Sequence, residues 1–381
     1  MEMSIATHST YSYNFPTHIR FGEGVVRELG FHLKSQEKYS VLLVTDPLCS
    51  TLPFFQEVVQ TLDSEGISVE VYDKIHKNPL AGDVEIGAKQ FRSTARDCIV
   101  GIGGGASLDV ARSITLMAHH RGHILDYEEC KGGEEKVVDE IPYFICIPTT
   151  SGTGSEVGRS AVISDDKTHE KKIIFSPRLL AKAVFADPLL TMDLPPHITA
   201  ATGMDALTHN IEAYLSKGFH PICDGIALEG VRLVWNNIEE ATLRPTLESR
   251  SNMLIASLMG GVAFQKGLGV VHSTAHPLSA MHDIHHGLAN AVMLPYGMRF
   301  NAEVCEERLE ILSALLKSDD IIESILKLNI SLKLPDNLTD LGVKKEDLRE
   351  LSEMAFADGC HACNPKPVSK EDFYKLYEDA L

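Results

Sequence analysis

"GIGGGASLDVARSI", Gly101 to Ile114, places a run of glycines between an apolar stretch and a helical pattern, and how it is read decides the fold. Glycine lets a backbone come close to a phosphate, and the first N–H groups of a helix supply the partial positive charge that such a group needs. Taken alone the stretch matches G-x-G-x-x-A only loosely, and a purely structural glycine turn would look the same. Its surroundings narrow the choice. The runs "YSVLLVT", "SVEVY", "CIVGIGG", "YFICIP" and "AVFAD" alternate with helical stretches such as "PFFQEVVQTLDSEG" between Tyr39 and Asp187, which predicts βαβ units on a largely parallel sheet. The run after the glycines opens into "PTTSGTGSEVG", Pro148 to Gly158, a second loop of small and hydroxyl residues with no lysine that would make it a Walker P-loop. Two such loops at the carboxyl ends of neighbouring strands are where an open α/β sheet binds a dinucleotide.

Asp46 closes the first of these runs in "VLLVTD". A carboxylate there can accept hydrogen bonds from an adenosine ribose and repel a 2′-phosphate, which selects NAD over NADP. It can equally cap the turn that follows.

From Pro195 the pattern changes to helices: "HITAATGMDALTHNIEAYLS", "ICDGIALEGVRLVWNNIEEA", "SRSNMLIASLMGGVAF", "EERLEILSALL" and the closing "SKEDFYKLYEDAL". The expected division is a nucleotide-binding α/β domain over 1–194 and an all-helical domain over 195–381. A length of 381 residues supports two cores. The net charge of −18 is spread along the chain, which disfavours nucleic acid or an anionic membrane as a partner. The opening "MEMSIATHSTYSYNFP" lacks both the basic start and the apolar core of an export signal, and nowhere do eighteen apolar residues run together, so a cytoplasmic enzyme is expected.

The helical half carries the candidate metal ligands. In "TGMDALTHNIEAY", Asp205 and His209 are four residues apart and leave one helix face. In "VVHSTAHPLSAMHDIHHGLANAV", Val270 to Val292, His272 and His276 repeat that spacing, and His282, His285 and His286 follow. One aspartate with several imidazoles suits Fe²⁺, Zn²⁺, Co²⁺ or Ni²⁺ better than Mg²⁺ or Ca²⁺, which prefer oxygen shells. Spacing does not choose among His276, His282, His285 and His286. The pair in "CHAC", Cys360 and Cys363, has neither a preceding thioredoxin-like strand nor further ligands at zinc-site spacing, so two unpaired thiols are expected.

The strings "GIGGGASLD", "IPTTSGTGSEV", "ATGMDALTHNIEAY", "GLGVVHSTAHPL", "HGLANAVMLP" and "NPKPVSKEDF" give the chain a resemblance, over nearly its full length, to the iron-containing (group III) alcohol dehydrogenases. The resemblance implies a Rossmann-like N-terminal dinucleotide-binding domain followed by an all-α domain, the fold shared with dehydroquinate synthase. It also implies the metal ligands Asp205, His209, His272 and His286, with His276 facing the active site as a catalytic proton relay. For NAD it points to Asp46, Asn78, Gly104, Gly105, Ala106, Asp109, Thr149, Thr153 and Lys171. The expected metal is Fe²⁺, with Zn²⁺ second, and the expected assembly a homo-oligomer, dimer or larger. The expected activity is NAD(H)-dependent interconversion of a primary alcohol or diol and its aldehyde. The alternatives are a hydroxyacid substrate or a dehydroquinate-synthase-like lyase, and the latter would need a Lys/Arg cluster that the ligand motifs lack. Three departures stand out: Ala106 where the family has serine after the glycines, His285 where a proline or another residue often precedes the last ligand, and one residue fewer between Phe264 and His272.

Overall fold

A computed structural model describes Phe15 and residues 17–138 and 140–381. Most of the leading stretch on which the absence of an export signal was argued lies outside these residues. The described residues divide into two compact units, one holding 17–150 and Ser155–Asp193, the other Leu194–Leu381 with Ser151–Gly154.

The α/β unit runs β1 (His18–Phe21), α1 (Leu29–Ser35), β2 (Ser40–Val44), α2 (Pro53–Ser64), β3 (Ser68–Tyr72), α3 (Ala81–Ser93), β4 (Cys98–Gly103), α4 (Gly105–Met117), β5 (Tyr143–Pro148), β6 (Ser160–Ser164), β7 (Lys171–Phe175) and β8 (Ala183–Ala186). Six strands form one sheet in the order β1-β8-β5-β4-β2-β3, every pairing parallel. Because helices cover a parallel sheet, its inner strands read as unbroken apolar runs, and all six residues of β4 are buried. α2 docks through Phe55, Val58 and Leu62, spaced for one helix face. Two features escape the sequence pattern: the four-residue β1 at the sheet edge and the antiparallel hairpin β6–β7. From β2 the chain passes to β3 on one side and then returns to β4 on the other, so the carboxyl ends of β2 and β4 flank a topological switch point.

The helical unit comprises α5 (Pro196–Leu215), α6 (Pro221–Leu243), α7 (Leu247–Ala263), α8 (Val270–His282), α9 (His286–Leu316), α10 (Ile321–Ser331), α11 (Leu348–Ala357) and α12 (Lys370–Asp379). One core threads it, from Met204, Leu207 and Ile211 of α5 to Phe373 and Tyr377 of α12. α5 begins at Pro196, whose ring fits the first helical position. Among the described residues no single helix is long and apolar enough to cross a membrane. Leu247–Lys266 and Val270–His282 pass that test only together, bent by 110°.

Segment Ser151–Gly154 follows β5 in sequence yet packs with the helices. Ser257 Oγ of α7 donates to the Gly152 carbonyl at 3.1 Å, and Thr153 Oγ1 donates to Asp205 Oδ2 at 2.9 Å. All eight cysteines are free thiols, including Cys360 and Cys363.

Candidate metal centre

Asp205 and His209 lie one turn apart near the middle of α5, buried on the face that meets α9. His272 sits in the first turn of α8. α8 ends at Asp283 in the left-handed region (φ 51°), and after Ile284 and His285 the chain reverses into α9, whose first residue is His286. That reversal returns His286 to the other three. One ligand atom from each of Asp205, His209, His272 and His286 lies within 4.8 Å of all the others. Gly287 makes the approach possible, since a Cβ there would stand 2.2 Å from the Ala201 carbonyl oxygen of α5.

The neighbouring hydrogen bonds fix which nitrogen faces inward. His209 Nδ1 lies 2.8 Å from the backbone carbonyl of Asp205, which can only accept, so Nδ1 carries the proton. His272 Nδ1 donates to Glu212 Oε2 at 2.6 Å. Nε2 is therefore the nitrogen that each ring turns inward, and the two stand 3.0 Å apart; burial disfavours a charge on His209, but the adjacent Asp205 raises it above an ordinary imidazole. Without a metal, a proton on His209 Nε2 can bridge the two nitrogens; with both rings neutral, the facing lone pairs repel unless a metal cation lies between them. The centre thus has the donor chemistry of a divalent transition-metal site, three imidazole nitrogens and one carboxylate.

Two residues that the sequence reading passed over, Glu212 and Asn290, hold this arrangement together with Thr153. Glu212 of α5 accepts from Val271 N at 2.7 Å and His272 N at 3.2 Å, so it caps the start of α8 while orienting the His272 ring. Burial pushes its carboxyl up to about 7, opposed by the N–H groups of Val271, His272 and Gly269. Asn290 Nδ2 donates to Asp205 Oδ1 at 2.7 Å and stands 3.2 Å from His286 Nε2. Asp205 has one oxygen held by Asn290 and the other by Thr153. Burial would raise the Asp205 carboxyl, but His209 and His286 beside it hold it well below the usual range. Burial and the nearby His209 lower His272 well below an ordinary imidazole, which favours the neutral form a metal ligand needs. Periodicity could have flagged both missed residues: Glu212 continues the Asp205–His209 face at i+7, and Asn290 lies four residues after His286.

His276 lies outside the four. Its Nδ1 donates to Asp358 Oδ2 at 2.7 Å, and its ring stacks on that of His286 with centroids 5.2 Å apart. His282 lies 3.5 Å from Asp347, and His285 occupies the N-cap position of α9.

In the α/β unit, Asp46 follows β2 and the glycines follow β4, so they flank the switch point. Asp46 caps the next turn, its Oδ1 accepting from Leu48 N at 3.0 Å and Cys49 N at 2.8 Å, while Oδ2 accepts from Ser107 Oγ of the glycine loop at 3.4 Å. Gly103 has φ 145°, and a Cβ there would meet Ser107 Oγ at 2.5 Å. Gly104 is the N-cap of α4, with Gly105 and Ala106 in its first turn. Thr149 N donates to the Gly103 carbonyl at 3.0 Å, joining the two loops. Asn78 lies in the bend after β3, and Lys171 opens β7. Asp109 is engaged within the fold: Oδ1 accepts from Ser155 Oγ at 2.7 Å and Arg112 Nη1 at 3.0 Å, and Oδ2 from Val162 N at 3.0 Å. It shapes the loop from beneath. Thr153, expected at the cofactor, gives its hydroxyl hydrogen to Asp205.

Residues 16–188 match the family model described as iron-containing alcohol dehydrogenase, and residues 199–381 match that of the Fe-containing alcohol dehydrogenase family, C-terminal. The chain is 37% identical to a 4-hydroxybutyrate dehydrogenase of Cupriavidus necator, covering 96% of this chain and 98% of that one. It superposes on the crystal structure of a 1,3-propanediol oxidoreductase with a TM-score of 0.94 at 33% identity, covering 98% of this chain and 100% of that one. It superposes on a sulfoacetaldehyde reductase from Bifidobacterium kashiwanohense, solved in complex with NAD⁺, with a TM-score of 0.90 at 28% identity over 98% and 99% of the two chains. With both halves matched and the likeness running nearly end to end, the chain belongs to the iron-containing alcohol dehydrogenase family.

Proposed function

We propose that the protein is an NAD(H)-dependent, divalent-metal-dependent dehydrogenase that interconverts a small primary alcohol, diol or ω-hydroxyacid and the corresponding aldehyde. The observation that carries this reading is the convergence of Asp205, His209, His272 and His286, with two imidazole protons locked on the outward nitrogens. A divalent ion there, iron first and zinc second, supplies Lewis acidity towards the substrate oxygen, and NAD supplies the hydride acceptor. The chain's residues do the rest. Thr153 and Asn290 fix the Asp205 carboxylate, and Glu212 fixes His272. His276, with Nδ1–H given to Asp358, keeps Nε2 available to take or return the proton of the alcohol. Asp46, Asn78, the Gly104–Ala106 turn, Asp109, Thr149, Thr153 and Lys171 are assigned to the cofactor side, Asp109 and Thr153 acting through the loops they brace. The nucleotide-binding half is taken as 1–194 and the metal-binding half as 195–381, in a cytoplasmic homo-oligomer, dimer or larger. The 4-hydroxybutyrate and 1,3-propanediol enzymes among the relatives favour a chain of three or four carbons with a polar far end.

Metal analysis of the purified protein with NADH formation from C2 to C4 alcohols, 1,3-propanediol and 4-hydroxybutyrate tests the reading. Absence of turnover with all of these in metal-loaded protein counts against it. Chelation is expected to abolish turnover while NADH still binds, because the ligands and the glycine turn belong to different units. Full activity in metal-free protein would refute the mechanism.

NAD should be preferred over NADP, since a 2′-phosphate beside the Asp46 carboxylate costs several kcal/mol, on the order of 2–5. Asp46→Asn removes the charge but keeps an oxygen for the Leu48 and Cys49 N–H groups. The NAD/NADP ratio of kcat/KM should therefore fall without loss of stability, and an unchanged ratio tells against the role.

A further inference from the structure

A second set of donor atoms converges in the helical unit. His276, Asp358 and Cys360 each offer one ligand atom, and these lie within 4.8 Å of one another. His276 comes from the middle of α8, Asp358 ends α11, and Cys360 opens the short turn Cys360–Cys363. Asp358 is firmly placed, because Oδ1 accepts from Ser273 Oγ at 2.7 Å and Cys360 N at 2.9 Å while Oδ2 accepts from His276 Nδ1 at 2.7 Å. Ser273 Oγ also accepts from His361 N at 2.9 Å, which ties the turn to α8. The donors are thus held before any ligand arrives, and all three remain partly exposed.

The geometry points to His276, Asp358 and Cys360 as a second cation site that takes a thiophilic divalent ion such as Zn²⁺ or Cd²⁺ and inhibits the enzyme by occupying His276. A sulfur donor beside nitrogen and oxygen selects such ions over Mg²⁺ and Ca²⁺. Burial and the adjacent Asp358 hold the Cys360 thiol protonated well above its ordinary range. The ion therefore enters by displacing protons: the S–H bond breaks as a sulfur–metal bond forms and that proton leaves to solvent, while the His276 proton held against Asp358 moves from Nδ1 to Nε2 as Nδ1 takes the ion. The ring stacking of His276 on His286 puts this ion beside the four-residue centre, and the Asp358 carboxylate offsets part of the repulsion between the two charges. Inhibition rests on the role proposed for His276, whereas binding does not.

Cadmium titrated into the metal-loaded protein separates the two. The four-residue centre contains no sulfur, so ultraviolet thiolate-to-cadmium absorption does not report on it. One saturating equivalent is expected, lost in Cys360→Ser, weakened about tenfold or more in Asp358→Asn, and retained in Cys363→Ser and Cys130→Ser. Turnover should fall in step with the absorption, and Cys360→Ser should need about tenfold more cadmium or beyond for the same inhibition. Absorption that survives Cys360→Ser, follows Cys363 or Cys130, or never appears overturns the site. Absorption with full activity overturns the inhibition and with it the role given to His276.

Discussion

His286→Ala is expected to purify with little metal and not to turn over, whereas His276→Ala should keep its metal and slow by about 10²- to 10⁴-fold with an altered pH profile. The two rings stack 5.2 Å apart, so bulk removed and local packing lost are nearly the same for both. What differs is where their nitrogens go. His286 Nε2 stands 3.4 Å from Asp205 Oδ1 within the four-donor cluster, and His276 spends Nδ1 on Asp358. Losing one of four donors leaves Asp205, His209 and His272 as an incomplete shell. His282→Ala and His285→Ala should retain most of their metal, because neither ring is in that cluster. Elemental analysis with turnover on the four variants decides the matter. A full His286→Ala and an empty His276→Ala would reverse the assignment.

Glu212 carries the second large effect. Glu212→Ala strips the acceptor from Val271 N, His272 N and His272 Nδ1, all buried, and unmet buried donors cost about 1–3 kcal/mol each. Glu212→Gln is the sharper variant because it keeps the volume. Its amide has one acceptor oxygen, so its NH₂ must face an N–H group of either α8 or the imidazole. If it faces the imidazole, His272 is driven to carry its proton on Nε2, where the lone pair is needed. Metal affinity measured by chelator competition should fall about 10- to 100-fold in Glu212→Gln, with a smaller loss of stability than in Glu212→Ala. Wild-type affinity in Glu212→Gln would show that the carboxylate only caps the helix.

The parallel sheet and the helical half were legible in the sequence because both rest on long, repeated patterns. Five of the six strands in the main sheet stand out as apolar runs, and α5 begins at the proline pair that marks the change of period. β1 was missed because His18–Phe21 is too short to show a period, half of it polar or charged. Asp205, His209 and the histidine-rich stretch were visible as clusters, but choosing His286 over His276 needed either the family resemblance or the turn at Asp283. No local spacing could have found Asp358, which meets His276 across 82 residues of sequence. At Asp109 the sequence shows the motif but not the partners. A carboxylate in a glycine-loop motif invites a ligand role, but its oxygens hold Arg112, Ser155 and Val162.

The docking of Ser151–Gly154 on the helices bears on how modular such a chain is. A recombinant chimera joined at residue 194 would take its Thr153 from one parent and its Asp205 from the other, although the two are hydrogen-bonded at 2.9 Å and Ser257 grips the same segment. Grafting a foreign nucleotide half onto this helical half therefore transplants part of the support of Asp205 as well. Four residues, Ser151–Gly154, must travel with the recipient for the graft to leave the centre intact.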